Sequence, residues 1–294
     1  MKGSPIVAMT DAARLLYSPL GQPGSGRVRY GAAMALFQAD ALSESVLEVY
    51  RICSVLDHQD PAPILAERGL NAPLRPAADP EDDLRWCLSE AQGYLADLSG
   101  EGVAEIRARL AQWMDSPVTP LVPRPNAVVD THLPPALSQL APTHPALAAA
   151  IAAAAPHLPW ITYDLYPPEE IGPDFGRAHA YVSLVGEDAT IEAEGFDFGL
   201  FLIAPHVLYR DHRHPAAELY APLTGPHGWR FGPDQPVSTR PAHVPVWNPS
   251  MQPHMTKVGA VPFLCFFGWT GDVTAPAEVL PATDWPALEA LRLG

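Results

Sequence analysis

Cysteine is scarce in this chain of 294 residues, which has only 3, namely Cys53, Cys87 and Cys265. Their number is odd and no C-x-x-C spacing occurs, so the sequence indicates neither a disulfide framework nor a thiolate zinc site. Long apolar runs are missing too, since no stretch approaches the about 18 residues that a membrane span requires. The amino terminus reaches Asp11 before an apolar core of signal-peptide length. We therefore expect a cytoplasmic protein.

Positive charge is the second shortage. The chain has 18 Lys and Arg residues against 33 Asp and Glu residues, which gives a formal net charge of -15. This balance opposes binding to nucleic acid or to an anionic membrane, and it mildly favours a cationic or zwitterionic ligand. Residues 1–115 show neither a basic patch nor a helix-turn-helix pattern. The expected partner is a small zwitterionic or carboxylate substrate, and a homodimer is the candidate assembly.

The first part of the chain carries helical periodicity. Apolar residues recur at spacings of three and four over residues 31–56, which predicts one helix. Asp79 and Pro80 are typical of an N-cap and a first helical turn, so a second helix is predicted from there to Leu98. A third helix is predicted over residues 103–113. Together these segments predict an N-terminal helical domain.

The pattern changes after the third helix. Residues 115–135 are rich in proline and have few periodic apolar positions, which predicts an extended connection. The alanine-rich stretch 146–155 predicts a short helix between two prolines. From Trp160 onward, short alternating segments predict strands spaced as in an antiparallel barrel or jelly roll. The strand candidates are residues 178–184, 199–204, 208–214, 219–223, 244–247 and 262–269. We predict an α+β protein with a helical domain and Pro-rich connection over 1–150 and a β-barrel over 151–294.

Four residues in the strand-rich part have the spacing of a metal site. His212 and His214 are two positions apart, so their side chains lie on the same face of a strand and can chelate one ion. Glu218 follows four residues later, and His254 would come from a distant strand. Three nitrogens and one oxygen suit a single divalent ion such as Zn²⁺, Fe²⁺, Mn²⁺, Ni²⁺ or Co²⁺. His212 either binds the ion directly or lies beside it and holds substrate.

Aromatic residues flank these candidates. Tyr220 is two positions from Glu218 and shares its strand face, which would direct the phenol into the same cavity. It is the candidate general base, although a tyrosine packed in the barrel wall is the alternative. Tyr209 and Trp269 are either core aromatics or walls of an aromatic pocket for a small cation.

The pattern H-x-H-x-x-x-E-x-x-x-x-x-x-G, ending at Gly225, resembles the first signature of the cupin superfamily, and His254 stands for the second. More narrowly, Tyr209, Tyr220 and residues 267–272 resemble the dimethylsulfoniopropionate (DMSP) lyases, over roughly residues 160–275. The chain departs from the general cupin pattern at two positions. His206 stands where a glycine usually precedes the first histidine, and Val258 stands where an asparagine is usual.

The resemblance implies a cupin-type antiparallel β-barrel with a metal in its interior. It implies cleavage of DMSP into dimethyl sulfide and acrylate by β-elimination, with Tyr220 as the base. Tyr209, Trp269 and His212 would contact the substrate, with Tyr209 also in a catalytic role. Two alternatives stay open because a fold does not fix a reaction. One is another metal-dependent cupin enzyme, a dioxygenase or an isomerase. The other is a non-catalytic ligand-binding cupin.

Overall fold

A computed structural model describes residues 12–18, 20–21, 23–71, 73, 79–119, 122–163, 166–233 and 235–293. The amino-terminal stretch through Asp11, from which a targeting segment was judged absent, lies outside these residues. The chain forms two compact units. Unit 1 comprises Met1–Cys87 and Leu140–Ala153, and unit 2 comprises Leu88–Gln139 and Ala154–Gly294. Among the described residues, no helix combines the length and the apolar character that crossing a membrane takes.

The helices lie mainly before residue 160. They are α1 (Ser25–Gln38), α2 (Glu44–Cys53), α3 (Pro61–Glu67), α4 (Pro80–Asp97), α5 (Val103–Trp113), α6 (Ala127–Leu140), α7 (Pro145–Ala154), α8 (Pro168–Ile171) and α9 (Trp285–Ala290), with short 3₁₀ turns at Ala155–His157 and Phe175–Arg177. The predicted helices from Asp79, over 103–113 and in the alanine-rich stretch are confirmed as α4, α5 and α7. In unit 1, a core that includes Ala33, Val49 and Leu65 holds the first helices together.

Two predictions about this part of the chain are wrong. The single helix predicted over residues 31–56 is two helices, α1 and α2. Asp40 has a φ of 55°, which ends α1, and the Ser43 hydroxyl then caps α2 by accepting from the Val46 amide. The extended connection predicted over 115–135 contains the start of α6. Asn126 caps that helix through its Oδ1, which accepts from the amides of residues 128 and 129.

Among the described residues, the strands all follow residue 178. They are β1 (His179–Gly186), β2 (Ile191–Glu192), β3 (Phe196–Ile203), β4 (Leu208–Arg213), β5 (Ala217–Pro222), β6 (His227–Arg230), β7 (Ser238–Arg240), β8 (Val246–Asn248), β9 (His254–Lys257), β10 (Phe263–Thr270) and β11 (Glu278–Val279). One sheet has the order β2-β1-β3-β10-β5-β8 and the other has the order β11-β4-β9-β6-β7. This is the predicted α+β cupin fold.

Inward-facing residues of both sheets form the core of unit 2. It includes Phe201, Phe263, Tyr209 and Trp229, which come from β3, β10, β4 and β6. Because side chains alternate along a strand, every second residue of these strands points between the sheets. This alternation places polar residues of the same strands in an apolar interior.

Helix α5 belongs to unit 2 together with the strands. Gly102, at its start, has a φ of 77°. A Cβ there would lie 1.9 Å from the ring of Trp247 on β8. A Cβ on Gly268 of β10 would lie 2.6 Å from the Ile106 side chain. Two glycines therefore let this helix approach the sheet closely. The division into units differs from the predicted boundary at residue 150, because α5 packs with the strands; the two-domain division itself stays a prediction.

Candidate metal centre

Three histidines converge at the end of strand β4. His212 on β4 lies directly opposite His254 on β9, and the register of the pair shifts between Tyr209 and His212. His214 follows just after β4, which ends at Arg213. One ring nitrogen from each of the three lies within 4.8 Å of the others, and all three residues are buried. The predicted histidines are therefore brought together.

Main-chain carbonyl groups fix the orientation of each ring. The Nδ1 atoms of His212, His214 and His254 lie 2.8, 2.9 and 2.8 Å from carbonyl oxygens of residues 210, 216 and 252. Since a carbonyl oxygen only accepts hydrogen bonds, each Nδ1 carries the proton. Each Nε2 is then left with a free lone pair in the neutral ring, as a metal ligand requires.

The carboxylate of Glu218 lies beside these lone pairs. Its Oε2 is 3.2 Å from Nε2 of His214 and 3.2 Å from Nε2 of His254. Two lone pairs that face a carboxylate oxygen repel it unless a cation lies between them. Nε2 of His212 and of His254 are buried and have no hydrogen-bond partner among the described residues. The donor set therefore fits a divalent cation, held by the three histidines with Glu218 adjacent.

The charges of this centre are reflected in its pKa values. Burial, together with the neighbouring rings of His254 and His214, lowers the pKa of His212 well below its usual value. Burial alone would raise the pKa of Glu218, but positive charge on His214 and His254 holds it well below its usual range, and a cation bound by these rings would act in the same direction. Glu218 is thus an anion and His212 is a neutral ring, which are the forms that bind a metal ion.

A cavity of about 350 Å³ opens next to Glu218. This volume suits a small ligand. The residues that line it are Tyr163, Tyr166, Phe175, His179, Tyr181, Asp197, Phe201, Tyr209, Glu218, Tyr220, Phe267, Trp269, Val273, Thr274, Ala275, Pro276 and Ala277. The wall is mostly aromatic, and the three aromatic residues predicted for the site are all part of it.

Tyr220 and Tyr209 have different surroundings. Burial followed by the Glu218 charge raises the pKa of Tyr220 well above its usual value, and the Tyr220 ring lies 6.1 Å from that of His254, centre to centre. The Tyr209 hydroxyl lies 2.6 Å from the Tyr166 hydroxyl. The Tyr209 ring stacks on His212 with the ring centres 3.8 Å apart. Tyr220 therefore lies near Glu218 and His254, and Tyr209 covers His212.

Trp269 connects the cavity to the same carboxylate. Its indole Nε1 donates to Glu218 Oε1 at 2.7 Å, and its ring stacks on His214 with the centres 4.3 Å apart. Asn248 Nδ2 is 3.4 Å from the other oxygen of Glu218. With both oxygens bonded to neighbours, the carboxylate has a fixed orientation toward the histidines.

Several lining residues were not predicted from the sequence. Asp197 is the one charged residue of strand β3 and lies between Phe196 and Phe198. An isolated charge in an otherwise apolar strand could have indicated a functional residue. Tyr166 and the segment 273–277 carry no comparable pattern. His179, which lacks a ligand-like spacing, is buried and donates from Nδ1 to the Phe175 carbonyl oxygen at 2.6 Å.

The motif glycine and the position that departs from the pattern both have a structural reason. A Cβ on Gly225 would lie 2.4 Å from the backbone nitrogen of Ala242, so no side chain fits there. His206 has a φ of 65°, in the left-handed region that glycine adopts most easily. The usual glycine at that position is thus explained, and in this chain a histidine adopts the same conformation.

Comparison with known proteins supports the class of protein that this fold and site define. The profile of the dimethylsulfoniopropionate lyase family matches residues 102–265, which is more than half of the chain. A crystal structure described as that of the DMSP lyases RdDddP and RnDddQII is 20% identical, with a TM-score of 0.56, and the match covers 69% of this chain and 100% of that one. The DMSP lyase DddQ from Ruegeria pomeroyi DSS-3 is 22% identical, with a TM-score of 0.49, over 67% of this chain and 95% of that one.

A cupin-like protein from Thermotoga maritima is 16% identical, with a TM-score of 0.33, over 40% of this chain and 86% of that one. No curated protein sequence matches the chain. The chain has the cupin fold, with a candidate metal centre. It belongs to the dimethylsulfoniopropionate lyase family, whose model matches more than half of it.

Proposed function

We propose that this protein is a metal-dependent DMSP lyase, which eliminates dimethyl sulfide from DMSP and leaves acrylate. The observation that carries the proposal is the position of Tyr220, which lines the same cavity as Glu218 and whose ring lies 6.1 Å, centre to centre, from that of His254. It brings a phenol, which can exchange a proton, next to three histidines whose Nε2 atoms are free for a metal ion. Membership of the DMSP lyase family supplies the substrate class.

The reaction requires removal of the proton on the carbon next to the substrate carboxylate. The Tyr220 oxygen would accept that proton, the C–H electrons would form the new double bond, and the carbon–sulfur bond would break with its electrons on sulfur. Dimethyl sulfide leaves as a neutral molecule, so no acid is required at the leaving group.

A divalent ion bound by the histidines would coordinate the substrate carboxylate and offset the negative charge that develops on the adjacent carbon. Tyr220 must be a phenolate to accept a proton, yet burial and Glu218 raise its pKa. Positive charge at the histidine centre is what would lower it, because an opposite charge within about 4–6 Å favours the ionised form. The ring of Tyr220 lies 6.1 Å from that of His254, centre to centre.

The remaining aromatic residues would orient the substrate. Trp269 is fixed by its bond to Glu218, and Tyr209 is fixed by its bond to Tyr166. Both rings line the cavity. Aromatic faces attract a small cation with about 0.5–2 kcal/mol each, so the face of Trp269 that is not stacked on His214 would hold the sulfonium end of DMSP. The Tyr209 ring is stacked between Phe175 and His212, so Tyr209 would contact the substrate through its edge. The predicted substrate is thus a small zwitterion.

The test uses purified protein supplied with DMSP, with dimethyl sulfide measured in the gas phase and metal measured on the same sample. Chelator treatment should abolish release of dimethyl sulfide, and one of Zn²⁺, Fe²⁺, Mn²⁺, Ni²⁺ or Co²⁺ should restore it. The reaction should proceed without oxygen. Metal-loaded protein that releases no dimethyl sulfide would contradict the proposal, and oxygen uptake by the Fe²⁺ form would indicate a dioxygenase instead.

A further inference from the structure

The charges in the cavity wall are of one sign. The side chains that line the cavity include the carboxylates of Glu218 and Asp197, and no lysine or arginine is among the described residues there. The other lining residues are largely aromatic. Glu218 bonds to the histidine centre and to Trp269. Asp197 has no role in the proposed reaction as described so far, so the presence of its carboxyl group in the cavity wall requires another explanation.

Asp197 and Glu218 lie at the two ends of a row of residues that crosses three neighbouring strands. Asp197 on β3 lies opposite Trp269 on β10, and Trp269 lies opposite Glu218 on β5. All three side chains line the cavity. Since neighbouring strands are about 4.8 Å apart, the two carboxylate residues are separated by roughly 10 Å of sheet, with the indole between them.

The side chain of Asp197 is short of partners. The residue as a whole is half-buried, but its Oδ1 is fully buried and has no hydrogen-bond partner among the described residues. Gly186 makes room for it, since a Cβ there would lie 2.9 Å from that oxygen. Burial raises the pKa of Asp197 to about 7, although hydrogen bonds from Ser183 and the Phe198 amide oppose the shift. A cation bound next to this carboxylate would stabilise its ionised form.

We propose that Asp197 is the specificity-determining counter-charge for the cationic end of a zwitterionic substrate, which lies along Trp269 with its carboxylate toward the histidine centre. This deepens the proposed function and rests on it for the identity of the substrate. Asp197 would distinguish an onium carboxylate from a carboxylate of the same shape that lacks the cationic group.

The proposal has a consequence for protons. Near pH 7 part of the free protein has a neutral Asp197, since its pKa is about 7. A bound cation favours the ionised carboxylate, so binding releases part of a proton to the buffer. A ligand of the same shape without the cationic group does not change the charge of Asp197 and releases no proton from it. Glu187, the other charged residue that acts on Asp197, is exposed.

The experiment compares two ligands on Zn²⁺-loaded protein by calorimetry. The cationic ligand is 3-(dimethylammonio)propanoate, which has the shape of DMSP but a poor amine leaving group, so it binds without being eliminated. 4-Methylpentanoate has the same carboxylate and an uncharged carbon in place of the nitrogen. Wild type should bind the cationic ligand at least about tenfold more tightly. Asp197→Asn should reduce that preference about tenfold and keep its affinity for 4-methylpentanoate, which shows that the cavity is intact. Glu187→Gln, the same charge change at an exposed neighbour, should leave both affinities unchanged.

Repeating the titration of 3-(dimethylammonio)propanoate at pH 7 in two buffers of different ionisation enthalpy measures proton release in the wild type without any variant. Equal loss of both ligands in Asp197→Asn, or a wild type that does not prefer the cationic ligand, would overturn the inference. Wild type that binds the cationic ligand without proton release would overturn it as well. A protein that shows the preference and the proton release but forms no dimethyl sulfide from DMSP would overturn the proposed function alone.

Discussion

Two tyrosines face the same cavity but have different surroundings. Burial followed by the Glu218 charge raises the pKa of Tyr220, whereas the Tyr209 hydroxyl bonds to the Tyr166 hydroxyl. Tyr220→Phe removes one oxygen and little volume, so the metal should stay bound. The rate of dimethyl sulfide release at saturating DMSP should fall at least ~10²-fold, as is usual when a general base is lost.

Tyr209→Phe is the matched control for that measurement. It removes the hydrogen bond to Tyr166 but keeps the ring that stacks on His212. A hydrogen bond of this kind contributes about 1 kcal/mol, which corresponds to a loss of less than about tenfold. A Tyr220→Phe protein with full metal content and the parent rate would exclude Tyr220 as the base.

The histidines permit a second prediction. His214→Ala removes a ligand that also faces Glu218, and the protein should lose most of its about one metal ion per chain. Glu218→Ala and His254→Ala should act in the same way. His212→Ala tests whether that ring binds the ion or only lies beside it, since its Nε2 belongs to the same cluster. Elemental analysis after dialysis is the measurement, and undiminished metal in the variant lacking His214, Glu218 and His254 would contradict this ligand set.

Much of this site could be predicted from the sequence because its members are close in the chain. His212, His214, Glu218 and Tyr220 lie on or next to the consecutive strands β4 and β5, where the period of a strand gives their direction. Asp197 could not be placed in the same way. Its position opposite Trp269 depends on the pairing of β3 with β10, and residues far apart in the chain leave no local spacing that would reveal such a pair.

The helices show where local patterns are sufficient and where they fail. The start of α4 was predicted from Asp79 as an N-cap residue, and in the structure the Asp79 carboxylate accepts from the amides of Glu81 and Asp82. Helix α6 was missed because it contains Pro134 and Pro135. Prolines remove backbone hydrogen bonds and usually exclude a helix interior. Here the burial of an apolar face, formed by Val129, Leu133, Ala136 and Leu140, offsets that loss.

The contact between helix α5 and the sheet depends on Gly102. Gly102→Ala should lower the free energy of unfolding by about 2 kcal/mol or more, because the new Cβ overlaps the Trp247 ring and the backbone has a positive φ. Urea unfolding is the measurement. Gly176→Ala is the control, since no described atom lies within 4 Å of a Cβ there, and it should change stability by less than about 0.5 kcal/mol. Equal effects of the two substitutions would contradict the packing argument.

Two buried histidines make the stability of the molecule depend on pH. Nε2 of His179 accepts from the Tyr163 amide and Nδ1 of His227 accepts from the Gly259 amide. A proton on either nitrogen would break that bond. Burial lowers the pKa of each histidine from 6.5 to about 4. The unfolded chain therefore takes up protons below pH 6.5 that the folded chain takes up only near pH 4.

Stability should fall as the pH drops through this window and be fully present above it. At pH 5 each histidine should cost about 2 kcal/mol relative to pH 7. His227 lies outside the cavity wall, so His227→Gln is the variant to use. Urea unfolding at pH 7 and pH 5 should show a smaller pH effect in His227→Gln than in the wild type. The same difference between the two pH values in both proteins would refute the assignment.

The ring of each candidate metal-binding histidine is held by a carbonyl group two residues away along the chain. Ring direction is therefore set largely by the path of the backbone, although Tyr209 and Trp269 of the cavity wall also stack on two of the rings. The two parts of the site can then change independently during evolution. Substitutions at wall positions such as Asp197 or Phe267 can change which small molecule the cavity accepts without changing the orientation of the three candidate ligand rings.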